Sequence, residues 1–166
     1  MTPRPLHFDA WDPDRARSIA ERQAGSRKGA LLETLNELQA TFGHIHADAI
    51  AILADVFNLS RAEVHGVKSF YHDLRDHPPA SYVVKICQAE ACQAMGCRAL
   101  TAHAKDRLGL EFHETAVAQG VTLEPVYCLG NCALSPAVMI NDRVYGRVDA
   151  GRLDALLEDC RKGAMP

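Results

Sequence analysis

The first 86 residues of this sequence contain no cysteine, although the chain of 166 residues has six. The sequence also lacks an apolar run near the length of about 20 residues that a membrane-spanning helix needs, and its first nine residues lack the apolar core of a secretory signal. We therefore expect a cytoplasmic protein with no direct membrane insertion. Because cytoplasmic thiols stay reduced, the six cysteines indicate metal binding or redox chemistry rather than disulfides.

Other absences exclude further classes of function. The formal net charge is -3 and the basic residues are scattered, so no stripe of Lys and Arg could follow the phosphates of a nucleic acid. No G-x-G-x-x-G segment, phosphate-binding loop or Ser-His-Asp order is present. We therefore expect neither hydrolysis, nor direct nucleotide binding, nor nucleic acid as a partner. No residue is predicted to be catalytic.

Helical periodicity dominates the first half of the chain. Residues 14–23, 30–42 and 47–57 are predicted helices, and in the second of them the apolar residues recur at steps of three and four positions. Gly43 is predicted to end that helix. Ser60-Arg61-Ala62-Glu63 has the pattern of a capping box, which predicts the start of a fourth helix.

Pro78 and Pro79 cannot continue a helix, since each lacks a backbone N–H and restrains the residue before it. The sequence therefore predicts a helical bundle over residues 1–77 and a second domain over residues 80–166. In the second domain the predicted strands are residues 81–86, 121–127, 137–140 and 144–148. The predicted helices are residues 92–108 and a last helix capped by Asp149. Residues 111–119 fit no single element type.

This order of elements predicts an α+β protein, in which an N-terminal helical bundle precedes a thioredoxin-like α/β domain. Two cysteine pairs follow directly on two of its predicted strands. Cys87 and Cys92 form a C-x4-C pair, and Cys128 and Cys132 form a C-x3-C pair. If the two strands are neighbours in one sheet, both loops leave the same edge and can bring four sulfurs around one centre.

Four thiolates are the ligand set of a [2Fe-2S] cluster. Such a cluster carries a net negative charge and needs hydrogen-bond donors, which Gly130 and the start of the helix near Cys92 could supply. The same helix terminus would favour the thiolate form. A structural zinc site is an alternative, since zinc also binds four cysteines, although the usual C-x2-C spacing is absent. A thioredoxin-type disulfide exchanger is a third interpretation, but neither pair is C-x-x-C.

The order of a helical bundle, a C-x4-C pair and the segment Tyr-Cys-Leu-Gly-Asn-Cys-Ala-Leu-Ser-Pro-Ala-Val-Met-Ile-Asn from Tyr127 resembles the thioredoxin-like [2Fe-2S] subunits of NADH dehydrogenase, complex I. The segment Gly-Val-Lys-Ser-Phe-Tyr from Gly66 matches a second signature of that family. Relatives include subunits of NAD-reducing hydrogenases and the gamma subunit of molybdenum-containing, NAD-dependent formate dehydrogenase. Residues 70–75 and 123–140 look most like that gamma subunit.

The resemblance implies an electron-transfer subunit of an oxidoreductase complex, with one [2Fe-2S] cluster and no active site of its own. By the family pattern the cluster ligands are Cys87, Cys92, Cys128 and Cys132. The resemblance also implies a partner subunit that binds FMN and NAD and exchanges electrons with the cluster, and further iron-sulfur and molybdenum subunits if the complex is a formate dehydrogenase. The bundle would form part of the docking surface.

Several residues outside this ligand set have two possible roles. Cys97 and Cys160 match no ligand position and are predicted to be packing residues. His44 and His46 have no metal-ligand spacing and are predicted to be solvated loop residues. Two aromatic residues and two cations remain open: Phe70 and Tyr71 could anchor a partner or belong to the core, and Lys85 and Arg98 could raise the potential of a nearby cluster or be ordinary surface charges.

Overall fold

A computed structural model describes residues 4–26 and 30–164, which divide into two compact units. One unit is His7–Pro78, and the other runs from Pro79 onward and includes residues 4–6. Residues 4–6 join the second unit through hydrogen bonds. The N–H of Leu6 donates to the carbonyl of Ser81 at 2.7 Å, and Asn141 Nδ2 donates to the carbonyl of Arg4 at 2.6 Å.

The first unit consists of helices packed around one apolar core. Its helices are α1 (Pro13–Ser26), α2 (Leu31–Phe42), α3 (Ala49–Phe57) and α4 (Arg61–Phe70). The predicted helix ends are confirmed at two positions. Gly43 caps α2, its N–H bonding the carbonyl of Gln39 at 2.8 Å, and Ser60 with Glu63 makes both hydrogen bonds of the capping box before α4.

Helix α3 begins two residues later than the sequence predicts. Ala47 lies in a turn, and the N–H of Asp48 donates to His46 Nδ1 at 3.2 Å. The backbone is held in that turn by the imidazole side chain, and helical hydrogen bonding starts afterwards.

The second unit is a mixed five-stranded sheet with helices. In chain order its elements are β1 (Tyr82–Cys87), α5 (Glu90–Ala94), α6 (Cys97–Leu108), β2 (Glu114–Ala116), β3 (Val121–Val126), β4 (Val138–Ile140), β5 (Arg143–Tyr145) and α7 (Ala150–Ala164). The strand order is β2-β3-β1-β4-β5. Strands β1 and β3 are parallel, and each of the other neighbouring pairs is antiparallel.

One face of this sheet forms the main core. Alternate strand residues such as Val84, Ile86 and Leu123 point to the same side, where they pack with Leu100 of α6 and Leu153 of α7. The predicted architecture of an N-terminal set of helices followed by an α/β domain is confirmed. In the part of the chain that the structure describes, no helix combines the length and apolar character needed to cross a bilayer.

The predicted helix over residues 92–108 is two helices, which corrects the sequence interpretation. Gly96 has φ 93°, a left-handed conformation that interrupts helical hydrogen bonding between α5 and α6. The segment 111–119, which the sequence left unassigned, contains the edge strand β2 and a 3₁₀ turn, Val117–Gln119. The last strand ends at Tyr145, short of the predicted residue 148, and Arg147 lies in a bend with φ 50°.

Candidate metal centre

The sheet places the two cysteine pairs at one edge. Cys87 is the last residue of β1 and is the register partner of Val126, the last residue of β3. The N–H of Gln88 donates to the carbonyl of Val126 at 2.8 Å, so the two chain segments leave the sheet side by side. Because the strands are parallel, the loops that carry Cys92 and Cys128 start in the same direction. The expected adjacency of the two strands is confirmed.

Within each pair the thiols lie close together. The sulfurs of Cys128 and Cys132 are 3.8 Å apart. That separation suits two ligands of one tetrahedral metal, because metal–sulfur bonds of about 2.3 Å place the sulfurs about 3.8 Å apart. The thiols of Cys87 and Cys92 share a hydrogen bond. Across residues 4–26 and 30–164, no three potential ligands converge on a single metal-ion position. Each cysteine pair thus brings two thiols into contact with each other.

Direct contacts tie the two cysteine loops to each other. The backbone N–H of Leu129 donates to the sulfur of Cys87. The thiol of Cys92 lies 3.4 Å from Ser135 Oγ, and that hydroxyl donates to the carbonyl of Cys132 at 2.8 Å. All four cysteines of the predicted ligand set thus belong to one connected cluster of residues.

Backbone amides surround the sulfurs with donors. Ala89 and Leu129 donate to the sulfur of Cys87, and Ala137 donates to that of Cys92. Gly130 donates to the sulfur of Cys128 at 3.3 Å. Hydrogen bonds to ligand sulfurs stabilise the negative charge of an iron-sulfur cluster and set its potential. The donor set and its thiol chemistry therefore fit a [2Fe-2S] cluster.

The two buried thiols have pKa values shifted in opposite directions. Burial raises the pKa of Cys87. Burial also acts to raise the pKa of Cys92, but its hydrogen bonds with Ser135, Ala137 and Cys87 outweigh the effect of burial, and the net pKa is lowered. The sequence attributed this favoured thiolate to a helix terminus. Cys92 is the third residue of the five-residue helix α5, and the hydrogen bonds that lower its pKa involve residues outside that helix.

The second pair differs from the first in exposure. Cys87 and Cys92 are each 2% exposed, whereas Cys128 and Cys132 are exposed. Cys128 also has φ 124°, a conformation that residues with a side chain rarely adopt. Such conformations cost about 1–3 kcal/mol and concentrate at functional sites. The strained residue of this site is thus one of the two thiols that solvent can reach.

The other two cysteines are buried. Cys97 is the first residue of α6, is fully buried, and packs in a small cluster with Cys87, Cys92 and Ala137. Cys160 lies in the main core on α7. Both positions agree with the packing role predicted from the sequence.

Lys85 is not an ordinary surface charge. Its side chain is 17% exposed, and its Nζ lies 3.6 Å from Glu124 Oε2 on the neighbouring strand. The positive charge of Lys85, which the sequence predicts to lie near the cluster, is therefore largely balanced by Glu124. Arg98 is exposed and donates to Gln93 Oε1 at 2.7 Å.

In the helical unit, the solvent exposure of the side chains tests the predictions for two histidines and two aromatic residues. His44 and His46 are half-buried, and the ring of His46 stacks on Trp11 with centroids 4.5 Å apart, which corrects their interpretation as solvated loop residues. Phe70 is 73% exposed and Tyr71 is 41% exposed. These aromatic residues are therefore not part of the core.

Sequence reasoning missed Ser135, Leu129 and Gly146. The first two contact sulfurs of the opposite loop, and no sequence spacing signals such a contact. A Cβ on Gly146 would lie 2.6 Å from the Cβ of Leu134 and 2.9 Å from its carbonyl oxygen. The absence of a side chain at Gly146 thus lets the backbone there approach the loop that follows Cys132 closely. Its one signal in the sequence is a glycine inside the predicted strand 144–148.

Comparison with known proteins assigns this chain to one family. Residues 16–161 match the family model of the thioredoxin-like [2Fe-2S] ferredoxins. The chain belongs to the thioredoxin-like [2Fe-2S] ferredoxin family, as the sequence resemblance predicted. The family implies one [2Fe-2S] cluster, so the chain is an electron-transfer protein with a thioredoxin-like fold.

Particular relatives are components of larger complexes. The chain is 31% identical over 135 residues to an NADH-quinone oxidoreductase subunit of Rhizobium meliloti (strain 1021), covering 81% of this chain and 80% of that protein. It is 28% identical over 133 residues to the NADP-reducing hydrogenase subunit HndA of Solidesulfovibrio fructosivorans, covering 80% of this chain and 78% of that protein.

A solved structure of an NAD+-reducing [NiFe]-hydrogenase in the air-oxidized state is also similar. The match has a TM-score of 0.68 at 27% identity and covers 81% of this chain. The same match covers 23% of the hydrogenase chain, so this protein corresponds to less than a quarter of that longer chain.

Proposed function

We propose that this chain is an electron-transfer subunit that holds its [2Fe-2S] cluster on Cys87, Cys92, Cys128 and Cys132. In this proposal the cluster exchanges electrons with the flavin of a partner subunit that binds NAD. The observation that carries it is the pairing of the two cysteine loops at the common edge of the parallel strands β1 and β3, with backbone amides directed at the sulfurs.

The exposure of the site supports a role in electron exchange. Cys87 and Cys92 are buried, whereas Cys128 and Cys132 are exposed to solvent. Two large side chains on the same loop are exposed as well, namely Tyr127 at 77% and Leu134 at 40%. A partner that covers this loop would bring its own redox centre next to the exposed pair. We therefore propose that electrons enter and leave the cluster through this loop.

A flavin partner is needed because hydride transfer and reduction of the cluster involve different numbers of electrons. A hydride carries two electrons together, whereas a [2Fe-2S] cluster, when bound, passes electrons singly. No dinucleotide fingerprint is present in the sequence. We therefore expect the isolated chain to oxidise neither NADH nor formate. FMN and NAD belong to the partner in this proposal.

Metal analysis tests the cofactor and its ligands. Purified protein should contain about two irons and two acid-labile sulfides per chain and should give an electron paramagnetic resonance signal when reduced with dithionite. One zinc per chain in a colourless, diamagnetic sample would instead support a structural metal site. Oxidation of NADH or formate by the flavin-free chain would contradict the carrier role.

The helical unit offers a surface for docking. An open groove of about 590 Å³ is lined by Leu31, Leu59, Glu63, Gly66, Val67, Phe70 and Tyr71. Phe70 is the most exposed of its aromatic side chains. Gly66 lies in the middle of α4, where glycine costs about 0.5–1 kcal/mol of stability relative to alanine, and no atom lies within 4 Å of its missing Cβ. We propose that this groove receives the flavin-binding subunit.

Two variants of the full chain test this surface. Phe70→Ser removes the exposed aromatic ring, and Gly66→Leu fills the groove while favouring the helix. Each should weaken binding to the flavin subunit about tenfold or more, because truncating a buried interface aromatic often costs over 1 kcal/mol. Val117→Ser is the control, since Val117 is 85% exposed in the other unit. Binding at wild-type strength in both variants would remove the groove from the interface.

The last part of the proposal concerns the complex to which this subunit belongs. The relatives named above support a subunit of an NADH dehydrogenase or of an NAD(P)-reducing hydrogenase. The resemblance of residues 70–75 and 123–140 to the gamma subunit supports an NAD-dependent formate dehydrogenase, in which iron-sulfur and molybdenum subunits would be further partners. Affinity purification from the source cell decides among them. Co-purification of a molybdenum subunit, a hydrogenase subunit or membrane proteins would each identify a different complex.

A further inference from the structure

The hydroxyl of Ser135 lies between the two cysteine loops. Its Oγ is 3.4 Å from the sulfur of Cys92 and 2.8 Å from the carbonyl oxygen of Cys132, and the residue is only 7% exposed. With a protonated Cys92, both contacts are satisfied, because the thiol donates to the hydroxyl and the hydroxyl donates to the carbonyl. As a metal ligand Cys92 has no proton, and the Ser135 hydroxyl becomes the donor that two acceptors share.

A hydroxyl differs from a backbone amide in this position. The amides of Gly130 and Leu129 are fixed by the chain, so each donates to its sulfur in the same direction whatever the charge of the cluster. The hydroxyl proton of Ser135 can turn about the Cβ–Oγ bond from the carbonyl toward the sulfur. One added electron makes the cluster more negative by one unit, and no covalent bond needs to form or break for the hydroxyl to respond.

We propose that Ser135 is a positioning residue that raises the reduction potential of the cluster by donating to the sulfur of Cys92 in the reduced state. This inference rests on the proposed ligand set. A donor that is stronger toward the reduced cluster than toward the oxidised cluster stabilises the reduced form selectively.

The test is the midpoint potential of the cluster in the full chain, measured by dithionite titration with electron paramagnetic resonance. In Ser135→Ala the ratio of reduced to oxidised cluster at a fixed potential should fall about tenfold, which is 59 mV for a one-electron couple. Ser135→Thr keeps the hydroxyl and should keep the wild-type potential. An unchanged potential in Ser135→Ala would overturn the inference.

A matched control separates loss of stability from loss of the donor. Thr122 is also buried, at 4% exposure, and its hydroxyl accepts from the N–H of Ala80 at 2.8 Å. Thr122→Val should therefore lower stability without shifting the potential. An equal shift in Thr122→Val and Ser135→Ala would also overturn the inference.

A second measurement uses the wild-type protein and does not depend on the alanine variant assembling its cluster. In D2O, electron–nuclear double resonance of the reduced protein should show an exchangeable hydroxyl deuteron coupled to the cluster. Its absence would contradict a donating Ser135. A chain without iron would reject the proposed ligand set, whereas an intact cluster with a potential insensitive to Ser135 would reject this inference alone.

Discussion

Lys85 and Glu124 lie side by side on the parallel strands β1 and β3, with 3.6 Å between Lys85 Nζ and Glu124 Oε2. Their side chains are only 17% and 11% exposed. They point to the face of the sheet opposite Val84 and Ile86, so this ion pair lies on the second face of the sheet, two residues before Cys87. A charge left unbalanced here would affect both folding and the cluster.

Glu124→Gln should lower the free energy of unfolding by about 2 kcal/mol, between the values for surface and buried ion pairs. The same variant should raise the midpoint potential of the cluster, because a less balanced Lys85 favours the more negative reduced state. Urea unfolding and a redox titration measure the two effects. The double variant Lys85→Met with Glu124→Leu should restore most of the stability. Wild-type stability in Glu124→Gln would show that the pair is unimportant to folding.

Replacement of the cysteines should divide them into two classes. Cys87→Ser and Cys128→Ser remove proposed ligands and should lose the cluster or change its absorption spectrum strongly. Cys97→Ala and Cys160→Ala remove buried packing residues and should leave that spectrum unchanged. The comparison with Cys97 is the stricter one, since its side chain packs in the same small cluster as Cys87. A bleached Cys97→Ala protein would show that the ligand assignment is wrong.

Gly146→Ala should weaken the retention of the cluster. The new Cβ would lie 2.6 Å from the Cβ of Leu134, so the loop after Cys132 must shift. Overpacking of this kind costs about 1–3 kcal/mol. The rate at which a chelator removes iron measures the effect. Gly151→Ala is the matched control, because its nearest neighbouring atom is 3.7 Å away, an ordinary contact distance. Equal rates in the two variants would contradict the close approach.

Cys160 should make stability depend on pH in the alkaline range. Burial raises its pKa from 9.0 to about 12 in the folded chain. The folded state therefore keeps the proton that the unfolded state releases, and this contribution to stability is complete below pH 9.0 and is lost as pH rises toward about 12. Urea unfolding of the wild type and of Cys160→Ala at about pH 7 and about pH 10 should show a steeper loss in the wild type. Parallel losses would contradict a shifted Cys160.

The sequence by itself determined the local features. Periodic apolar residues defined the helices of the first unit, and the capping box at Ser60 and the C-cap at Gly43 defined helix ends, because these signals arise from interactions between residues three or four positions apart. The spacing of the cysteines indicated the class of cofactor. It did so because four thiolates on two strand-following loops are a chemical pattern as well as a structural one.

Only the tertiary structure decided how distant residues meet. The pairing of β1 with β3 brings Leu129 to the sulfur of Cys87 and places Glu124 beside Lys85. The same packing sets Ser135 beside Cys92, 43 positions earlier in the chain. Such contacts follow from the strand order and the register of the sheet, which the packing of the whole unit fixes and which no short-range pattern in the sequence reports.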